Sequence, residues 1–232
     1  MSARYTLILG TKNLSSWSLR PWLAMRATGA AFSEIVLPLD APETRAAILA
    51  HSPSGRVPAL RIDEGGTSVT VHDSLAICET LAERHPDAML WPRDPRARAE
   101  ARSVTAEMHA GFAKLRETLP MDFARRRPAP ALGDAVKTEI GRIVQIWTRA
   151  LAQGDREGGF LFGRFSIADC FYAPVASRFR TYAIGLPGEA GAYVERLFAL
   201  DAMKDWGAAA AAEIAQGLGT GTGSGGSAPT SR

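Results

Sequence analysis

Three serines flank a tryptophan in the stretch SSWSLRPW, residues 15–22, where one apolar segment gives way to another. A serine at a helix start ordinarily caps it, its oxygen accepting a hydrogen bond from an orphan backbone N–H. Ser15, Ser16 and Ser18 together exceed what one cap requires. A spare hydroxyl beside free N–H groups, at the positive end of a helix dipole, is also placed to stabilise an anion. A thiolate would be favoured there over its thiol, as it is for cysteines at such positions. The chain's two cysteines, Cys78 and Cys170, both lie in apolar helical patterns and read as free and buried.

Three further stretches carry candidate chemistry, each beside an ordinary structural reading. In SPSGRVPAL, residues 52–60, Pro58 is tolerated as the first residue of a strand. A cis Val57–Pro58 bond is the alternative, and it would turn the Val57 N–H and C=O towards an extended peptide ligand. In VHDSLA, residues 71–76, Asp73 and Ser74 suit a helix cap. The functional alternative is a carboxylate for the ammonium, and a hydroxyl and N–H pair for the carboxylate, of one α-amino acid head group. In GRFSIAD, residues 163–169, Ser166 and Asp169 have the spacing of a capping box, and their role is read as structural.

The elements that must position these residues fall into two sets. YTLIL (5–9), FSEIVLPL (32–39), PALRID (58–63) and TSVTVH (67–72) read as strands, the last two joined by a glycine turn. SLRPWLAMRAT (18–28), PETRAAILAH (42–51) and DSLAICETLAERH (73–85) read as helices, with Pro21 in the first turns of the first. The resulting β-α-β-α-β-β-α order predicts a thioredoxin-like domain over 1–85. PDAMLWPRDP (86–95) reads as a linker, assigned to 86–94. An all-helical domain is expected over 95–216. There Val104, Met108, Phe112, Leu115 and Leu119 mark one face of a long helix, and Val136 to Leu151 another. Helices also fit 167–183, 190–199 and 201–216. The Gly/Ser/Thr-rich tail, 217–232, is expected to be disordered.

The fold class is therefore α/β plus all-α. The 232 residues suffice for this, with 46% hydrophobic and 22% charged residues and a formal net charge of +3. That charge gives no argument for nucleic acid, and no apolar run is long enough to span a membrane. Four histidines without ligand-like spacing predict no metal site. Cysteine usage and the short apolar N-terminus predict a cytoplasmic protein.

Taken in order, SSWSLRPW, SPSGRVPAL, DSLAICETLAE and GRFSIADCFYAP resemble the cytosolic glutathione transferase family over roughly residues 4–210. The first stretch is similar to the SSCS motif of the zeta class, with Trp17 in place of the cysteine. The resemblance implies glutathione as co-substrate. Ser15, or next Ser16, would donate a hydrogen bond to its sulfur. Val57 would pair with its cysteinyl backbone, Pro58 being cis, and Asp73 and Ser74 would hold the γ-glutamyl end. Arg56 or Lys12 would meet the glycyl carboxylate. Ser166 and Asp169 match the family's N-capping box. A homodimer is implied by the family alone.

The second substrate, a small-molecule electrophile, is expected between the first helix and the helix starting near residue 96. Arg102, Thr105, His109 and Arg116 form a polar stripe there, with His109 and Arg116 the candidates for an acidic or polar substrate. Trp17 and Met108 would line the apolar side, and LPMDFARRRP (119–128) would cover the pocket. The favoured activity is conjugation of the thiolate to small hydrophobic electrophiles. The alternatives are a zeta-type isomerase of a maleylacetoacetate-like acid and a non-catalytic binding protein. Absence of an early cysteine argues against disulfide exchange.

Overall fold

The computed structural model describes residues 3–153 and 158–220. The chain begins with β1 (Arg4–Gly10), α1 (Ser16–Thr28), β2 (Phe32–Leu37), α2 (Thr44–Leu49), β3 (Ala59–Glu64), β4 (Thr67–Val71) and α3 (Ser74–Arg84). The sheet order is β2-β1-β3-β4, with β1 and β2 parallel and the other neighbours antiparallel. Alternation along β1 divides its side chains between two cores. Leu7 and Leu9 join the large cluster that holds α1 and α3, while Ile8 meets Ile48 of α2 on the opposite face. This is the thioredoxin-like order read from the sequence.

A short 3-10 turn at Pro86–Ala88 leads to α4 (Pro95–Ala110), α5 (Ala113–Thr118), α6 (Asp134–Gln153), α7 (Ile167–Thr181), α8 (Gly188–Ala199) and α9 (Asp201–Ala215). The single long helix expected through Leu119 is broken. Gly111 leaves the helix, and Phe112 takes a left-handed conformation at φ 59°. A Cβ at Gly111 would stand 2.8 Å from the Glu107 carbonyl oxygen, so a glycine is what permits this exit. The Arg116 guanidinium then turns back onto the freed end of α4, donating to the carbonyls of Met108, His109 and Gly111. Glu139 of α6 receives the N–H groups of Lys114 and Leu115 and so caps α5.

Helix α1 is buried over most of its circumference, from Ser16 through Met25, between α3 and α7. It starts two residues earlier than the apolar pattern predicts, which puts Pro21 in its second turn and leaves the Trp17 carbonyl without a helical donor. Among the described residues no helix is long and apolar enough to cross a membrane. Of the expected tail, residues 217–220 are described: Gly219 is buried and crosses the β1–α1 loop against Thr11 and Asn13. The rest of that tail, 221–232, lies outside the described residues.

Candidate functional site

The β1–α1 loop sets the serines, and the two adjacent hydroxyls differ. Ser15 is the N-cap of α1 and accepts from the Ser18 N–H at 3.3 Å. Its hydroxyl donates to Ser18 Oγ at 2.7 Å, and Ser18 Oγ also accepts from the Gly10 N–H at 3.0 Å. Ser15 is thus committed to joining the helix start to the end of β1. Ser16 opens the helix, and neither its hydroxyl nor the Trp17 N–H has a hydrogen-bond partner among the described residues. Unpaired donors at the positive end of a helix are the local requirement for holding a thiolate.

The Val57–Pro58 bond is cis, the isomer the resemblance implied. The Val57 N–H and C=O carry no hydrogen bond among the described residues, which leaves one donor and one acceptor for an extended peptide. At the start of α3, Asp73 caps the helix by accepting from the Leu75 and Ala76 N–H groups. Its other carboxylate oxygen meets His109 Nε2 at 3.1 Å. Burial pushes the Asp73 carboxyl up, but the His109 hydrogen bond and charge, with the two backbone donors, outweigh it and hold it below its ordinary value. Ser74 Oγ is buried without a partner. Arg56 is exposed beside Val57.

Lys12 is occupied elsewhere, against the expectation that it meets a carboxylate of the peptide. Its ammonium contacts Glu34 at 2.6 Å and lies 5.2 Å and 5.4 Å from the ring centroids of Trp22 and Trp206. A cation so enclosed ties β2, α1 and α9 together. Met108 is fully buried in the core and so does not line an open pocket. Ser166 and Asp169 form the expected capping box on α7, with Tyr193 and the Leu161 N–H as further donors to Asp169.

The polar stripe on α4 divides by depth. Arg102 is exposed and bonds Glu79 of α3, whereas Thr105 is buried with its hydroxyl unpartnered. His109 meets Trp17 edge-on, with centroids 5.4 Å apart, and its Nδ1 has no partner. Arg116 lies 4.8 Å from the Trp17 centroid with one guanidinium nitrogen unpaired, and burial lowers its pKa to about 10.

The sequence reading missed Arg20. Its guanidinium is completely buried, 4.2 Å from the Trp17 centroid and 4.7 Å from that of Phe171, and none of its three nitrogens has a hydrogen-bond partner. Burial first, then the like charges of Arg116 and Arg178, hold its pKa well below the ordinary value. A buried unpaired guanidinium costs several kcal/mol. An arginine in the apolar run between Leu19 and Met25 was the one available signal. Among the described residues no group of three or more His, Cys, Asp or Glu could hold a metal.

A thioredoxin-like sheet domain followed by an all-helical domain, with an unpaired donor set at the start of α1, defines the class of two-domain protein to which this chain conforms. The family description "Glutathione S-transferase, N-terminal domain" matches residues 14–84, and "Glutathione S-transferase, C-terminal domain" matches 95–211. The chain belongs to the glutathione S-transferase family, whose chemistry is that of glutathione-dependent transferases and isomerases. It is 32% identical over 165 residues to maleylacetoacetate isomerase of Pseudomonas aeruginosa, covering 70% of this chain and 76% of that one. A maleylacetoacetate isomerase structure from Anaeromyxobacter dehalogenans 2CP-1, with GSH bound in the active site, is 26% identical. That likeness covers 88% of this chain and 95% of the other, with a TM-score of 0.61. A glutathione transferase homologue from Burkholderia, with bound glutathione, shares the fold at 24% identity and a TM-score of 0.67, covering 90% and 98% of the two chains.

Proposed function

We propose that the protein binds glutathione along Val57 and uses its thiolate on an electrophile that carries a carboxylate, as a zeta-type cis-trans isomerase. The unpaired Val57 N–H and C=O support backbone pairing to the cysteinyl residue. Ser74 Oγ suits the γ-glutamyl carboxylate, the Asp73 carboxylate, which already meets His109 and two backbone N–H groups, keeps lone pairs for the ammonium, and exposed Arg56 suits the glycyl carboxylate. Ser16 and the Trp17 N–H are the donors for the sulfur. The thiolate adds to the cis double bond of the acid, the resulting single bond rotates, and elimination restores the thiolate and releases the trans isomer.

The observation that carries the choice of an acidic substrate is Arg20. Its three unpaired nitrogens, with Arg116 beside the same indole, provide uncompensated positive charge next to the thiol-activating helix start. A neutral aromatic electrophile would leave that charge unmet, whereas a carboxylate at the helix start answers it through space, without touching the fully buried guanidinium. The P. aeruginosa and A. dehalogenans relatives bear the name of an enzyme acting on such an acid. Conjugation of glutathione to hydrophobic electrophiles is the competing reading.

Retention on immobilised glutathione, with elution by the free tripeptide, is the first expected result. Isomerisation of maleylacetoacetate should then exceed conjugation of an activated aryl halide. Arg20→Met should cut kcat/KM for the acid by about tenfold or more while leaving the fold no less stable, since it removes an unpaired buried charge. Aryl-halide conjugation that dominates and is unmoved by Arg20→Met would establish the transferase reading instead.

A further inference from the structure

Asn13, two residues before the paired serines, is fully buried and uses every hydrogen-bonding group of its side chain. Nδ2 donates to Asp122 Oδ1 at 2.8 Å and to the Gly219 carbonyl at 2.9 Å. Oδ1 accepts from the Ala124 N–H at 3.0 Å. Its backbone adds two more bonds, the N–H donating to Glu213 at 3.2 Å and the carbonyl accepting from Phe123 at 3.1 Å. These partners lie on three pieces of the helical domain: the loop after α5, the last turns of α9 and the segment that follows it.

Gly219 shows that the last of these is fitted to the loop. It has φ 60°, and a Cβ there would stand 3.3 Å from Thr11 Cγ2 and 3.5 Å from Asn13 Cβ. Arg125, on the loop after α5, fixes the next residue by donating to the Thr220 carbonyl at 2.8 Å. Asp122 is in turn held by Arg127 and by Thr181 of α7, whose hydroxyl donates to the Asp122 carbonyl at 3.0 Å.

From this convergence we infer that Asn13 is a positioning residue for the thiol-activating loop, and that the segment 217–220 completes its frame. Ser16 and the α1 start touch the reacting sulfur; Asn13 acts through them by fixing the loop against the helical domain. Val57, Asp73 and Ser74 lie on the sheet side and do not depend on it. The catalytic consequence rests on the glutathione-dependent reading proposed above, whereas the clamp itself does not. Displacing a catalytic group by about an ångström costs on the order of a hundredfold in rate while binding elsewhere persists.

The test uses the full chain and two substitutions, Asn13→Ala and Gly219→Val, the second leaving Asn13 in place. Four quantities are measured: the thiolate absorbance titration of bound glutathione, kcat, KM for glutathione, and amide hydrogen exchange without ligand. In Asn13→Ala the bound thiol should titrate at higher pH and kcat should fall about ten- to a hundredfold, with KM for glutathione within about twofold. Amides of residues 14–18 should exchange faster, with those of β3 unchanged. Gly219→Val should move the same readouts in the same direction by less, and it decides alone if Asn13→Ala does not fold. A folded variant with lower thermal stability but unchanged kcat, thiol titration and loop exchange overturns the inference. If the unsubstituted protein shows no thiolate signal with glutathione, the functional reading fails, and the exchange data still decide whether Asn13 holds the loop.

Discussion

At the scale of single residues, the two neighbouring serines differ in their hydrogen bonding. Ser15 spends its hydroxyl on Ser18 and its lone pairs on the helix cap, while Ser16 presents an unpartnered hydroxyl. Ser15→Ala is therefore expected to lower folding stability by about 1–2 kcal/mol, the value of an N-cap, with a modest effect on the bound thiol. Ser16→Ala should leave stability nearly unchanged and raise the pKa of bound glutathione, so that the pH–rate profile moves to higher pH. Urea unfolding and thiolate titration of both variants check this; a larger titration shift in Ser15→Ala returns the role to the first serine. The motif pointed to this pair, but sequence could not divide the roles, because Ser18 Oγ and the Gly10 N–H become neighbours only when β1 and α1 are folded together. Arg20 was hidden for the same reason: its burial is set by Trp17 and by Phe171 from α7, across the domain boundary.

At the scale of elements, local signals were legible wherever the partners are close in sequence. Ser166 and Asp169 lie three apart, and their reciprocal bonds define the start of α7. The break at Gly111 was not legible, since the apolar spacing continues unbroken through Phe112 and Leu115, and the capping groups come from Arg116 and distant Glu139. Asp169 also carries a pH dependence. Burial raises its pKa from 3.8 to about 6, opposed in part by the Leu161, Ser166 and Tyr193 donors. Between those values the folded state holds more protons than the unfolded chain, so this group's contribution to stability declines as pH rises from about 4 to about 6 and is level above. Asp169→Asn should abolish that slope and, by setting an amide donor against backbone donors, cost about 2–4 kcal/mol at neutral pH. Urea midpoints measured across this range, for both proteins, provide the check; parallel profiles would show that Asp169 titrates alike in both states.

At the scale of the molecule, α1 belongs to both domains. Its buried residues share one hydrophobic cluster with Leu7 and Leu9 of the sheet and with Phe171, Val175 and Trp206 of the helical domain. Polar contacts cross the same boundary: Asp73 to His109, Arg102 and Trp91 to Glu79, and Lys12 between Trp22 and Trp206. A helix that is apolar on both sides cannot satisfy its outer face in an isolated sheet domain. Unfolding is therefore expected to be a single cooperative transition, with far-ultraviolet circular dichroism and tryptophan fluorescence following the same urea curve. The fluorescence reports both halves, because Trp17 and Trp22 lie in the first and Trp147 and Trp206 in the second. By the same reasoning, residues 1–85 expressed alone should expose the α7-facing side of α1 and associate non-specifically instead of remaining a folded monomer. Two resolved transitions, or a monomeric and cooperatively folding 1–85 fragment, would mean that the sheet domain closes its own core and that the site is assembled by docking two finished units.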